Sequence, residues 1–272
     1  MKHILTIQDL SCVGRCSLTV ALPVLSAMGH QCSVLPTAVL STHTAFPKPE
    51  VEDLTDRLLG FARHWQENGI RFDAVTVGYL SDPGQAAMVE HILESIGAEA
   101  VLDPVMGDHG KLYSRITPEH IDAMKRLAAR ADVILPNLTE AAALTGLPYR
   151  EQVDEAYLQD LTDGLLRLGA KAAVITGVHL QDGAIGYYGQ NKEGKAFCYQ
   201  GTLIPRQFHG TGDLFAAVLS GSLLQGFRLN AAAQKAAEFV RACVENTETV
   251  TPFGVEFEKQ LYRLWSDPTH EQ

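Results

Sequence analysis

Phe208-His209-Gly210-Thr211-Gly212-Asp213 runs directly into Leu214-Phe215-Ala216-Ala217-Val218-Leu219-Ser220-Gly221. The second half has helical spacing but is apolar or small on nearly every side, which predicts a buried helix rather than an amphipathic one. Two glycines just ahead of it let a bare backbone come close to a ligand. A helix N-terminus offers unpaired N–H groups and the positive end of a dipole, a natural seat for an anion. A carboxylate there repels a large anion unless Asp213 points past it and takes a proton from an attacking hydroxyl. That combination suits a phosphotransferase. The plainer reading is that Asp in a first helical turn serves as a cap and dipole partner.

Length and composition set the outer limits. The 272 residues suffice for one large α/β domain, and with 46% hydrophobic and 20% charged residues a sizeable core can form. Acidic residues outnumber basic ones, 32 to 22, for a formal charge of −10. Without a basic run or stripe, this balance argues against a nucleic-acid partner. It also means that a nucleotide polyphosphate needs a divalent cation and local N–H donors to overcome the field. Met1 to Ile7 reads as a first strand and not as a signal peptide, and no window approaches the ~18 apolar residues of a membrane span. Five cysteines, Cys12, Cys16, Cys32, Cys198 and Cys243, contain no C-x-x-C pair. Reduced thiols in the cytoplasm are the expectation, with Cys12 and Cys16 structural and no zinc site.

Outward from the opening motif, strands and helices alternate along most of the chain. Strands are predicted at Ile4–Gln8, Gln31–Leu35, Ala74–Tyr79, Ala100–Pro104, Asp132–Leu135 and Lys171–Gly177. Helices are predicted at about 17–28, 51–67, 83–96, 118–130, 153–168, 230–245 and 255–265, with a short one after Asn137 that stops near Gly146. Residues 184–188 and 196–199 read as a hairpin that makes the sheet antiparallel at one edge, and a polar tail ends the chain. No repeat or linker interrupts this, so a single domain is expected. Apolar strands alternating with helices predict a mostly parallel sheet covered on both faces. Ligands gather beyond the carboxyl ends of such strands. Asp9, Thr44, Tyr79, Asp103, Asn137 with Glu140, Thr176 and Asp213 all fall there.

There is no G-x-x-x-x-G-K-[ST], no G-x-G-x-x-G after the first strand and no G-x-S-x-G elbow. P-loop, dinucleotide and common hydrolase readings are therefore disfavoured, leaving the phosphate cradle at Gly210–Asp213. Gly210-Thr211-Gly212-Asp213 with its small-residue helix resembles the signature of the ribokinase-like superfamily of ATP-dependent kinases. Leu40-Ser41-Thr42-His43-Thr44, Asp103-Pro104-Val105-Met106-Gly107-Asp108 and Leu135-Pro136-Asn137-Leu138-Thr139-Glu140 are similar to the vitamin B6 kinases within it. Gly14-Arg15-Cys16-Ser17-Leu18-Thr19-Val20-Ala21-Leu22-Pro23 resembles a bacterial branch described as pyridoxamine or pyridoxal kinases. The likeness runs in matching order from Ile4 to about Gly226.

The resemblance implies a ribokinase-like three-layer α/β/α sandwich that phosphorylates the 5′-hydroxymethyl group of pyridoxal, pyridoxine or pyridoxamine with ATP. Asp213 would be the base, and the N–H groups of Gly210, Thr211 and Gly212 would stabilise the transferring phosphoryl group. Asp103 and Glu140 would help hold Mg²⁺, partly through water. Asn137, Thr176 and Asp108 would lie along the ATP phosphates, and Arg206 in a lid-like stretch from Thr202 to Phe208 would cover the nucleotide. Asp9, Thr44 and Tyr79 would face the pyridine ring. A monovalent cation is admitted too, although Leu135 stands where relatives often place a threonine. Relatives are commonly homodimers.

Plainer readings stand beside these. Asp103 before Pro104 also suits a strand-ending turn. Asn137-x-x-Glu140 is also a capping box. Thr44 and His43 could satisfy loop backbone, Tyr79 could be core packing, His109 a solvated loop residue and His209 a brace for the anion loop. Asp9 replaces a serine common in B6 kinases, and a carboxylate there favours a protonated ring nitrogen or the amine of pyridoxamine. Two rival functions remain open: phosphorylation of hydroxymethylpyrimidine for thiamine synthesis, and a non-catalytic B6-binding sensor. Asp213 weighs against the sensor, because binding alone needs no base on the anion helix.

Overall fold

The computed structural model describes residues 1–265. The chain opens with β1 (His3–Ser11), α1 (Leu18–Ala27), β2 (Gln31–Leu40), β3 (Val51–Asp53) and α2 (Leu58–Glu67). It continues through β4 (Ala74–Val77), α3 (Pro83–Ile96) and β5 (Glu99–Leu102), then a small separate hairpin of β6 (Gly107–Asp108) and β7 (Lys111–Leu112). After α4 (Pro118–Ala128) come β8 (Val133–Ile134), α5 (Leu138–Thr145), α6 (Glu155–Arg167), β9 (Ala172–Val178), β10 (Ala184–Gln190) and β11 (Ala196–Thr202). Helices α7 (Thr211–Leu224) and α8 (Leu229–Asn246) follow.

Nine strands form one sheet in the order β11-β10-β9-β8-β5-β4-β1-β2-β3. From β9 to β2 every neighbouring pair is parallel. The β10–β11 hairpin joins β9 antiparallel, as expected. Successive strand residues point to opposite faces, and the cores divide accordingly. Leu5, Ile7, Val75, Val77 and Leu102 pack under α2 to α6, while Ile4, Ala74, Val101 and Val174 pack under α1, α7 and α8. The α/β/α sandwich is thus written residue by residue into the parallel strands.

Helix α7 is as buried as its composition requires: every residue from Leu214 to Ser222 is buried. Its N-terminus emerges at the carboxyl end of the sheet. Elsewhere local signals set the boundaries. Asp82 caps α3 by accepting from the Gly84 and Gln85 N–H groups, and Pro83 occupies the first turn, where it forfeits no bond.

Three expectations need correction. The helix expected over 51–67 is a strand, a turn and a shorter helix: Val51–Asp53 pair antiparallel with β2, so both edges of the sheet are antiparallel. Asp53 accepts from the Thr55 N–H and breaks the pattern there. The final helix expected over 255–265 is a 3-10 turn over Glu258–Leu264. Residues 105–111, whose glycines predict a loop, carry most of the β6–β7 hairpin. The polar tail beyond Trp265 lies outside the described residues. Among the described residues no helix is long and apolar enough to cross a membrane, and all five cysteines are free thiols.

Candidate active site

The acids come together at the carboxyl ends of the central strands. Asp103 follows β5, Asp213 lies in the first turn of α7, and the two share a cavity of about 10 Å³ with Gln8, Thr76 and Gly78. That is room for about one water molecule. Asp103 Oδ2 lies 4.0 Å from where a Cβ on Gly212 would project, so its carboxylate faces the start of α7. Burial pushes the Asp103 carboxyl well above the usual range, and the charges of Glu140 and Asp213 push it further. Burial also raises Glu140 to about 8, against the backbone N–H bonds that lower it. Burial leads both shifts; the neighbouring acids add to it at Asp103 and the Asp108 charge adds to it at Glu140.

Glu140 is already engaged. Its Oε1 accepts from the Met106 N–H at 2.9 Å and its Oε2 from the Asn137 N–H at 2.8 Å. With Asn137 it forms a complete capping box on α5, so the plainer sequence reading holds for both residues. Asn137 Nδ2 donates to Gly107 O at 2.7 Å, tying the 105–108 loop to the helix. Thr176 sits beside Asn137, its N–H donating to Pro136 O, so the ends of β8 and β9 are adjacent. Among the described residues no three His, Cys, Asp or Glu side chains gather closely enough to cage a metal. Asp103 and Glu140 with phosphate and water oxygens still suit Mg²⁺, which usually takes one or two carboxylates and completes its shell from substrate.

Asp213 is set deep in the cleft yet keeps part of its surface open. Burial, with the Asp9 charge adding, raises its carboxyl to about 6, while the nearby polar groups of Ser17 and Cys16 pull the other way. The Cys16 thiol is pushed well up, first by burial and then by the Asp213 and Asp9 charges, and its Sγ lies 3.4 Å from Ser17 Oγ. The helix begins at Gly210, whose φ of 85° and close approach to Arg15 O admit only glycine: a Cβ would lie 2.2 Å from that oxygen. The anion loop thus interlocks with the 14–17 turn.

That turn carries an unusual residue. Ser17 precedes α1 with φ 52° and ψ −126°, a left-handed conformation that costs a non-glycine residue about 1–3 kcal/mol. Its hydroxyl does not cap the helix. Instead it donates to Asp9 Oδ1 at 2.5 Å, while Ser11 Oγ donates to Asp9 Oδ2 at 2.9 Å. Asp9 is buried, 4% exposed, and burial raises its carboxyl despite those bonds. Both oxygens of Asp9 are therefore directed at the loop. Tyr79 is half-buried within range of the Asp9, Asp82 and Arg115 charges, its phenol raised chiefly by burial.

Other expected residues lie further out. Thr44 is exposed in the loop after β2, and its neighbour His43 does the anchoring. The His43 ring is buried, donates from Nε2 to Pro252 O at 2.5 Å and accepts the Ala45 N–H at Nδ1. Its ring also lies against that of His209, the residue before Gly210. Asp108 is exposed on the β6–β7 hairpin and accepts the His109 N–H. Across the cleft mouth, Gln207 Nε2 comes within 3.4 Å of His109 Nε2. Arg206 turns away from the acids: its guanidinium donates to the carbonyls of Glu245, Thr247 and Glu248 at the end of α8. What sequence reasoning missed is Ser17, whose hydroxyl reaches Asp9 from a backbone of positive φ rather than capping α1.

Fold and acids together define a ribokinase-like kinase. The model of the phosphomethylpyrimidine kinase family matches residues 22–255, and the chain belongs to that family. A Bacteroides thetaiotaomicron protein described as a phosphomethylpyrimidine kinase, crystallised with pyridoxal, superposes with a TM-score of 0.92 at 36% identity, covering 97% of this chain and 95% of that one. Pyridoxal kinase from Lactobacillus plantarum superposes with a TM-score of 0.90 at 35% identity, covering 97% and 96%. A Schizosaccharomyces pombe protein assigned as a pyridoxal kinase is 28% identical over 239 residues, 80% of this chain and 66% of its own length.

Proposed function

We propose that this kinase uses ATP to phosphorylate the 5′-hydroxymethyl group of a vitamin B6 vitamer. The observation that carries the reading is the Asp213 carboxylate, partly open and raised to about 6, on the first turn of a buried helix behind Gly210 and Gly212. A base with that affinity is ionised at neutral pH and still accepts a proton from an alcohol as the oxygen becomes bonded to phosphorus. The acceptor oxygen attacks the γ-phosphorus, the bond to the β-phosphate bridging oxygen breaks, and ADP leaves with the pair. N–H groups of Gly210, Thr211 and Gly212 face the charge that develops on the transferring group.

Asp103 is the better placed of the two acids for a metal, because both oxygens of Glu140 already accept backbone N–H bonds. Glu140 then acts through the 105–108 loop and through water. Mg²⁺ held there would offset phosphate charge in a protein whose net charge is −10. Asn137, Thr176 and Asp108 line the approach for the phosphates, while Thr44 and Tyr79 lie on the acceptor side.

The relative crystallised with pyridoxal favours a B6 vitamer. The family description favours hydroxymethylpyrimidine as a second acceptor, another flat nitrogen heterocycle with a CH₂OH arm. Turnover of Mg·ATP with pyridoxal, pyridoxine, pyridoxamine and hydroxymethylpyrimidine, measured side by side, separates them. Phosphorylation of a B6 vitamer supports the proposal, and turnover of hydroxymethylpyrimidine alone moves the enzyme to thiamine synthesis. Tight vitamer binding with no ATP consumption would identify a sensor.

A further inference from the structure

The face of the sheet under α7 is apolar at Ile4, Ala74 and Val101, and turns polar toward the carboxyl ends of the strands. Thr6 on β1 stands opposite Thr76 on β4, which pairs in turn with Val101 on β5, and Gln8 follows one step along the same face. Thr6, Gln8 and Thr76 are all buried, Thr76 to 3% exposure. The Gln8 amide is fixed: its Nε2 donates to Thr6 Oγ1 at 3.0 Å, and its Oε1 lies 2.2 Å from where a Cβ on Gly78 would project. The Thr76 hydroxyl, by contrast, finds no hydrogen-bond partner among the described residues. A hydroxyl buried in that way costs free energy that valine, with the same shape and an equal liking for strands, would not. Thr76 does line the cavity of about 10 Å³ that also reaches Asp103, Asp213, Gln8 and Gly78, under Ala216 and Ala217 of α7. A space with room for about one water molecule holds its occupant against all of its lining groups together.

We propose that this cavity is a binding site for one water molecule, and that Thr76 is a positioning residue acting through it: the Thr76 hydroxyl donates to the water, and the water donates to Asp213 and bridges it to Asp103. The positioning role rests on Asp213 being the base. Two carboxylates facing one gap have no proton to offer each other, because ionised carboxylates only accept. A water has two donors for them and keeps lone pairs for the Thr76 proton. It also serves Asp103 in either form, donating to the carboxylate or accepting from the carboxylic acid. Buried waters need about two to four polar partners, and Thr76, Asp103 and Asp213 supply them while Ala21, Ala216 and Ala217 offer none. The bridge ties both acids to the sheet through β4. Without the hydroxyl the water loses that anchor, and the Asp213 carboxylate is freer to turn from the acceptor hydroxyl.

The test compares Thr76→Val and Thr76→Ser with the parent, alone and combined with Asp213→Asn, by steady-state rates with Mg·ATP and pyridoxal, by thermal unfolding, and by crystal structures of the parent and the valine variant. In the parent one density peak is expected in the cavity, about 2.7–3.0 Å from Thr76 Oγ1. Thr76→Val keeps the shape and should fold. It should lower kcat by about 10- to 100-fold with KM for both substrates unchanged, the scale of loss when a catalytic group is misplaced by up to about 1 Å. Thr76→Ser retains the hydroxyl and should restore most of the rate. In the Asp213→Asn background valine should lower the rate little further, because the group it steadies is gone. A parental kcat in Thr76→Val overturns the proposal, and a raised Tm beside it would mark the hydroxyl as idle in a dry core. An equal loss with and without Asp213, or a rate as low in Thr76→Ser as in Thr76→Val, overturns the positioning role while leaving the base intact. Full activity in Asp213→Asn alone would remove the base assignment and the positioning role with it, and a cavity without density in the parent would remove the water site.

Discussion

Replacing Gly210 by alanine should damage both stability and turnover, for reasons that can be separated. The residue has φ 85°, and an added Cβ would lie 2.2 Å from the Arg15 carbonyl oxygen, a backbone atom that cannot step aside alone. The left-handed backbone costs an alanine about 1–2 kcal/mol. Relieving the overlap requires the anion loop and the 14–17 turn to part by roughly 1 Å, which brings the total to about 2–4 kcal/mol, within the range of severe single substitutions. At about 2–4 °C per kcal/mol for a chain of this size, Tm should fall by about 4–16 °C. The same displacement moves Asp213 and the N–H groups behind it, so kcat should fall by about 10²-fold. Gly97→Ala is the control. Gly97 has φ 66° at the end of α3 with nothing within 4 Å of its added Cβ, so it isolates the backbone cost. Calorimetry and steady-state rates on the two variants provide the comparison. Equal losses of Tm in both, with the Gly210→Ala rate intact, would refute the interlock between the two loops.

Other consequences are as direct. Since Asp213 must be ionised to accept a proton, kcat/KM should rise about tenfold per pH unit at acid pH and level off above about 6, where its carboxyl titrates; a profile flat from pH 5 to 8 would contradict this. His120 is fully buried on α4 and neither ring nitrogen finds a partner among the described residues. His120→Leu should therefore raise stability by about 1 kcal/mol in a denaturant titration at pH 7. Burial lowers the His120 pKa in the folded protein, so the unfolded chain takes up its proton first and stability drains as pH falls below about 6.5; the Leu variant should lose that part of the slope. Arg206→Ala removes the donor to the end of α8 and should cost about 1 kcal/mol in thermal unfolding. It should also raise KM for ATP if the stretch from Thr202 to Phe208 covers the nucleotide.

Much of this architecture could be read from the chain because two periodicities rarely coincide by accident. Short runs such as Ala74–Val77, buried at every position and rich in β-branched residues, read as strands covered on both faces. The all-round burial of Leu214–Ser222 was equally plain in its composition. Val51–Asp53 was not, because a three-residue edge strand with every residue exposed carries no alternation of its own. Its acidic residues blended into the amphipathic pattern of α2, and only pairing with β2 defines it. In the site, Asp103, Glu140 and Asp213 were legible because each ends a strand or starts a helix at the carboxyl edge of the sheet. The part played by Ser17 was hidden for a physical reason. Serine before a helix reads as a cap, and nothing in the sequence says that its hydroxyl turns to Asp9, eight residues back. Arg206 was equally hard to read: its guanidinium donates to the carbonyls at the end of α8, about forty residues on, which no spacing in the sequence announces.

The most direct test of the central claim is the single-turnover rate of Asp213→Asn with saturating Mg·ATP and pyridoxal, beside the binding of each substrate. Asparagine keeps the shape and removes the proton acceptor, so the rate should fall about 10²–10⁴-fold while both dissociation constants stay near those of the parent. A parental rate in this variant would contradict the account.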